Sequence, residues 1–401
     1  MTPSPTTAPA ARLPLPEFIA MLAFLFATVA FSVDAMLPAL PEIAQTLTPD
    51  NINRAQLILT SFMAGMGVGT LFAGPISDAI GRKAAITIGF VIYAAASIWA
   101  MFANSLDLLL TARFVMGLGA ASPRIVGLAL VRDLYEGREM ARISSFVMMV
   151  FIMIPAVAPL LGQGIIWLAG WHGVFAAFVL FALVGATWLN LRQPETLPPP
   201  RRRPLRLGTL ASGAREVLSD RQVVLCTVIL SLGFGQMFGL LSSAQQLFGE
   251  AYAKGDQFPM WFAAMALLSG SGTVLNARFV MQYGMRRIAD WAYRMQVVVS
   301  AVVLAVALTV GLSFPLFFIW AVSVFFMAGV TFGNLNALAL QRMGHIAGMA
   351  ASIVAAISTL AAVLIAAPIG LLYDGTALPV VAATLVCSGL AVLLMQRLRG
   401  A

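Results

Sequence analysis

Twelve times along this chain an apolar run grows long enough to cross a lipid bilayer. The runs lie at roughly 16–40, 53–75, 84–103, 106–131, 144–169, 172–191, 222–247, 258–281, 289–312, 315–340, 347–372 and 378–396, at about 20 residues per crossing. Lipid offers the backbone no hydrogen bonds, so each crossing segment must satisfy its own, and runs of this length do so as α-helices. Composition agrees: 60% of the residues are hydrophobic and 10% charged, where a soluble domain carries about 25% charged. The chain reads as an all-α polytopic membrane protein with the bilayer as its first partner.

Placement of Lys and Arg sets the expected orientation. With the N-terminus in the cytoplasm, nineteen of the 24 lysines and arginines fall inside and only Arg54 and Lys254 outside. Arg113, Arg124 and Arg278 lie within spans. The net charge of +8 is therefore a matter of topology, with some attraction to anionic lipid, and not a nucleic-acid footprint. Cys226 and Cys387 sit in apolar runs and give neither a metal spacing nor a disulfide framework. The opening "MTPSPTTAPAAR" reads as a disordered tail over 1–15 and not as a signal peptide, because the apolar run behind it is too long and lacks a cleavage site.

The longest polar stretch, "RQPETLPPPRRRPLRLGTLASGAREVLSDRQ", divides six spans from six. It sets the expected organisation: a first half at 16–191, a cytoplasmic linker at 192–221 and a second half at 222–397. The halves echo each other. "GPISDAIGRKAAI" at 74–86 aligns with "ARFVMQYGMRRIA" at 277–289, so that Gly81 meets Gly284 and Arg82–Lys83 runs close to Arg286–Arg287. Such an internal repeat points to a two-part transporter that rocks about a central site. The other reading is that any short cytoplasmic loop contains glycine and arginine.

Asp34 interrupts the first apolar run, and charge inside a membrane is costly and marks function. It stands about 9 Å from the expected outer end of span 1, and Arg113 stands about 10 Å into span 4. At this shared depth the two form either a working pair in a central cavity or a fixed structural ion pair. From Arg113, helical steps reach Gly117, Ala120 and Arg124 on one face. These small residues either leave a cavity open or admit a neighbouring helix. The cavity is the expectation, with Arg124 lining it or snorkelling to the cytoplasm. Gln236 on span 7 lines the same cavity or is satisfied by its neighbours. In the 2–3 loop, Gly74 and Gly81 allow a tight turn, Asp78 is placed to cap a neighbouring helix, and Arg82 is placed to pair with Asp133. Pro155 and Pro159 kink span 5, and Gly162 permits close packing. A merely bent packing helix is an equal reading there.

"GPISDAIGRKAA" resembles the loop 2–3 signature of the major facilitator superfamily. "FSVDAMLPALPEIA", "ARFVMGLGAA", "ALVRDLYEGREMAR" and "APLLG" resemble its twelve-span drug:proton antiporter branch, the Bcr/CflA-like group in particular. The resemblance covers nearly the whole chain. It implies the major facilitator fold, with two pseudo-symmetric six-helix halves, and assigns Asp34 and Arg113 to proton coupling. It implies that Gly74, Asp78, Gly81, Arg82, Lys83 and Asp133 hold the cytoplasmic side closed in the outward-open state; the alternative is a topology signal only. Met116 departs from the pattern, which often has glutamine there.

No nucleotide loop, metal spacing or catalytic set is present in the sequence, so the chain is read as a transporter without cofactor and not as an enzyme. The expected function is proton-coupled export of small amphipathic molecules by a monomer in the inner (plasma) membrane, with both termini cytoplasmic. Its partners are the solute and protons. Alternatives on the same fold are a dedicated metabolite or siderophore exporter and a proton-coupled importer. A non-transporting receptor or a membrane enzyme is the alternative of another class.

Overall fold

A computed structural model of the protein describes residues 13–205 and 207–398. The tail expected at 1–15 therefore falls, up to residue 12, outside the described residues, as do Arg206 and Arg399. The first half comprises α1 (Leu15–Asp34), α2 (Leu40–Leu47), α3 (Leu57–Ile80), α4 (Arg82–Met101), α5 (Leu106–Leu134) and α6 (Gly137–Arg192). A linker helix, α7 (Leu207–Ser219), leads into the second half: α8 (Arg221–Gln246), α9 (Phe258–Tyr283), α10 (Met285–Thr309), α11 (Phe314–Leu340), α12 (Ala347–Leu371) and α13 (Leu378–Arg397).

Local chemistry sets several of these boundaries. Ser105 and Asp220 cap α5 and α8 with side-chain oxygens that accept from backbone N–H groups of the first turn. Prolines open α9, α11 and α13, where the missing N–H costs nothing. The 56-residue α6 is well over twice the length a bilayer needs and breaks at Gly170, whose φ of 64° suits glycine. Its two arms are the fifth and sixth crossings. Helical backbone continues through Pro155 and Pro159, so the break lies at the glycine and not at the prolines.

Span 1 differs from its expectation. A single helix over 16–40 is replaced by α1 ending at Asp34, a 3-10 turn at Leu37–Ala39, and α2. Pro38 explains the stop, because a proline ring collides with the carbonyl four residues earlier, here that of Asp34.

The halves repeat one plan. In the first, α3 and α4 pack on α5, and α1 and α4 pack on α6. In the second, α9 and α10 pack on α11, α8 on α12, and α10 on α13. The repeat extends to the backbone: Gly81 joins α3 to α4 at φ 106°, ψ 156°, and Gly284 joins α9 to α10 at φ 82°, ψ 149°. The two halves meet where α3 lies on α12 and α6 on α9.

Candidate functional site

The two ends of the bundle differ. At the end carrying the linker, here the basic end, the halves part around a cavity of about 940 Å³. Its walls come from α3 (Leu71, Gly74, Ser77), α5 (Ile125, Ala129, Arg132), α12 (Met349, Ser352) and the linker (Arg203, Leu205, Ala214). At the opposite, distal end the halves are joined by hydrogen bonds, and a pocket of only about 70 Å³ remains there.

Neutral groups make the bonds that cross between the halves at the distal end. Gln56, just before α3, donates from Nε2 to Gln246 Oε1 at the end of α8, and Ser243 Oγ donates to Gln56 Oε1 at 2.9 Å. Gln246 Nε2 donates to Asn53 Oδ1 at 3.2 Å. Asn53 Nδ2 in turn donates to the carbonyls of Leu371, the last residue of α12, and of Tyr373 just beyond it, at 3.3 and 2.8 Å. Gly370 lies so close to Gln56 that a Cβ there would overlap the amide.

Between the two ends lies the Asp34 region. Asp34 is 5% exposed, and no described residue forms a hydrogen bond or ion pair with its carboxyl. Arg113 is fully buried at the same level of α1: its Nη2 donates to Ser32 O at 3.0 Å and its Nε to Ile58 O at 3.4 Å. The guanidinium lies 4.5 Å from the centre of the Phe62 ring, and Nη1 has no partner among the described residues. The structure thus brings Asp34 and Arg113 to one level without pairing them, which removes the fixed ion pair as an account of this state. The Ser32 hydroxyl, 2.6 Å from Tyr93 OH, ties α1 to α4. Ser32, Ile58, Phe62 and Tyr93 were not singled out from sequence, because a backbone carbonyl or an aromatic within an apolar run carries no polar signal.

The small-residue stripe on α5 turns out to be a helix seam. A Cβ on Gly117 would overlap the Phe62 carbonyl, and one on Gly65 would overlap that of Phe114. Glycines let α3 and α5 approach to backbone contact, the alternative the stripe had left open. Gly117 and the fully buried Ala120 are therefore packing residues and do not line the cavity. Gln236 is likewise not on the cavity wall: it is fully buried, and its Oε1 accepts from Ser388 Oγ on α13 at 2.8 Å. Arg124 is half-buried and is also not on the cavity wall, to which α5 contributes its neighbour Ile125 instead; it has no partner among the described residues. Gly162 packs against the Ala35 carbonyl, immediately after Asp34.

At the basic end Arg82 collects the loop residues. Its Nε donates to Asp133 Oδ2 at 3.0 Å, as the sequence suggested, and its Nη1 to Asp78 Oδ1 at 2.5 Å and to Ser77 Oγ at 2.7 Å. Asp78 thus accepts from Arg82 and caps no helix in this structure. The open N-terminus of α4 is capped by Glu195 of the linker, whose carboxylate accepts from Arg82 N at 3.0 Å and Lys83 N at 3.1 Å. A carboxylate there meets both orphan N–H groups and the positive end of the helix dipole. Thr196 Oγ1 donates to Asp133 at 2.9 Å, Arg203 N to Asp78 O at 2.9 Å, and Lys83 Nζ to Asn190 O at 2.8 Å. The first part of the linker is strapped to the first half. The "PET" of 194–196 was the available signal, an acid and a hydroxyl beside a proline run.

Comparison with known proteins agrees with this architecture. Residues 22–366 match the family profile described as Major Facilitator Superfamily. The bicyclomycin resistance protein homolog of Haemophilus influenzae is 30% identical over 347 residues, 85% of each chain. The uncharacterized MFS-type transporter YdgK of Bacillus subtilis is 28% identical over 377 residues, 92% of this chain and 91% of its own. Among solved structures, the partially occluded, inward-open xylose transporter XylE from E. coli superposes with a TM-score of 0.75 at 14% identity, covering 96% of this chain and 97% of its own. Two six-helix halves, the Gly81 and Gly284 turns and a profile match over most of the length make one conclusion: this chain is a multi-pass membrane transporter and belongs to the Major Facilitator Superfamily.

Proposed function

We propose that this transporter exports small amphipathic molecules in exchange for protons, working as a monomer in the inner (plasma) membrane. The arginine distribution supports a cytoplasmic basic end, and on that reading the described state is open inward, ready to load. The observation that carries the reading is Asp34. It is buried at a helix break, two residues past the Ser32 carbonyl that holds Arg113, with no partner among the described residues. A lone acid in a dry site does little to hold helices together, and proton relays inside membranes are built from such groups. The Arg82 network and the distal seal then serve as the two gates of an alternating-access cycle. The name of the Haemophilus relative, a resistance protein homolog, supports export over import.

The test is flux in proteoliposomes under an imposed pH gradient, with a broad panel of amphipathic solutes. Wild type accumulates at least one solute uphill and moves protons the other way. Asp34→Asn loses uphill flux but keeps solute exchange without a gradient. Uphill accumulation by Asp34→Asn at the wild-type rate would falsify the proton assignment.

A further inference from the structure

The first half answers its basic turn with its own acids, and the second half does not. At the Gly81 turn Arg82 is 8% exposed and holds Asp78 and Asp133, while the Glu195 carboxylate caps the helix start beside it. At the Gly284 turn Met281 stands where Asp78 stands in the first copy, and it is 92% exposed. Helices α9 and α10 carry four arginines, Arg278, Arg286, Arg287 and Arg294, against one acid, Asp290. Arg294 Nε donates to Asp290 Oδ2 at 2.9 Å, and Arg286 Nη1 donates to Leu398 O at 3.4 Å. Arg278 and Arg287 form no hydrogen bond or ion pair with a described residue. The acids nearest in the linker helix and the start of α8 are engaged: Glu216 with His345, and Asp220 with Arg342 and the α8 cap.

These arginines stand on the lipid face. On α9 the exposed residues Leu267, Val274, Arg278 and Met281 recur at helical spacing and share one side of the helix. On α10 Arg287, Trp291, Arg294 and Val298 do the same. Aromatic rings join the two stripes: the Tyr283 ring centre lies 5.4 Å from that of Trp291 and 6.0 Å from that of Phe279, and the Arg278 guanidinium lies 5.8 Å from the Phe279 ring. Tyrosine and tryptophan collect at the level of lipid headgroups. Arg278 lies six residues before Gly284, about 9 Å along the helix. An arginine at that depth on a lipid face extends its head to the polar region. There a guanidinium without a protein acid meets phosphate through forked, charge-assisted hydrogen bonds. The excess of positive charge favours a headgroup of net negative charge over a zwitterionic one.

We propose that the α9–α10 turn binds an anionic phospholipid of the leaflet at the basic end. Its headgroup phosphate sits on Arg278 and Arg287, with Arg294 beside them, and its acyl chains run along Val274 and Val298. The membrane then supplies to the second half the negative charge that Asp78 and Glu195 supply to the first. The site is independent of the direction of transport and of what is carried.

The test is lipid titration of the purified full-length protein in detergent, with the tightest adduct read by native mass spectrometry. Phosphatidylglycerol is expected to bind about tenfold tighter than phosphatidylcholine of the same acyl chains. Arg278→Gln together with Arg287→Gln brings phosphatidylglycerol down to the level of phosphatidylcholine and leaves phosphatidylcholine unchanged. Arg201→Gln together with Arg215→Gln removes the same charge from the exposed linker and keeps the preference. Equal binding of the two lipids by wild type, an unchanged preference in the first double variant, or an equal loss in the linker variant overturns the proposal. So does displacement of phosphatidylglycerol by glycerol 1-phosphate at the same concentration, which would make the turn a site for soluble phosphates. Should the first double variant fail to fold, its two single variants decide, each expected to lose part of the preference.

Discussion

The two ends of the molecule are held by different chemistry. The bonds that cross the distal seal run through amides, a hydroxyl and backbone carbonyls, and the Glu250 carboxyl joins them from within the second half, on Gln246 and Tyr373. The basic end is rich in charge, yet each of the ion pairs described there stays on one side of the mouth: Arg82 with Asp78 and Asp133 in the first half, and Arg294 with Asp290, Arg342 with Asp220 and His345 with Glu216 in the second half and the linker helix that leads into it. Neutral hydrogen bonds contribute about 0.5–1.5 kcal/mol each and act only at contact. A seal made of them holds while closed and lets go together. Charged contacts are stronger and longer-ranged, and here they stiffen each half by itself while the mouth between them stands open. The difference suggests that the moving joint is built from weak parts and the moving body from strong ones.

Substitutions can break that contrast, beginning with the largest effect. Arg82→Ala leaves Asp133 with only Thr196 and Asp78 with water, and should cost about 2–3 kcal/mol, less than the full penalty of a broken buried pair. A lowered unfolding midpoint in detergent checks it, and an unchanged midpoint would mean that the charges do not stiffen this half. The double variant Gln56→Ala, Gln246→Ala should shift the population toward a distally open state by about 2 kcal/mol. A cysteine placed at the buried Ser242 should then label faster from the distal side, against a low background because Cys226 and Cys387 are buried. Labelling at the wild-type rate would show that the amides are not the seal. Glu195→Gln weakens the α4 cap by about 1 kcal/mol. It should loosen the linker strap, read as faster proteolysis at 198–206, without changing distal labelling. Smallest is Arg54→Ala at the distal rim. Its ion pair with Asp107 is exposed, and its loss should move the midpoint by less than about 0.5 kcal/mol.

Much of the fold was legible because length and hydropathy report directly on the bilayer. The spans, the linker and the Gly81–Gly284 echo all rest on such signals, and the Arg82–Asp133 pair was readable from charge at matching helix ends. The break after Asp34 was legible in principle through Pro38, but the apolar residues around it masked the stop. Gly117 shows a deeper limit. Periodicity says which residues share a face, but not whether that face meets a helix or a void, and two backbones in contact read the same as an empty stripe. The distal seal was beyond reach, since it unites amides nearly two hundred positions apart that look like ordinary span-end residues. Glu195 was missed for a similar reason: its partners are backbone N–H groups, which every sequence contains everywhere.

At Gly162 even a methyl group would strike the carbonyl of Ala35, the residue after Asp34. The same helix, α6, lies along α9 of the second half. A contact this close leaves no slack, so displacement of α6 is geared to the backbone beside the acid. The Asp34 site and the seam between the halves thus share one stiff component, and movement at either has a direct mechanical route to the other.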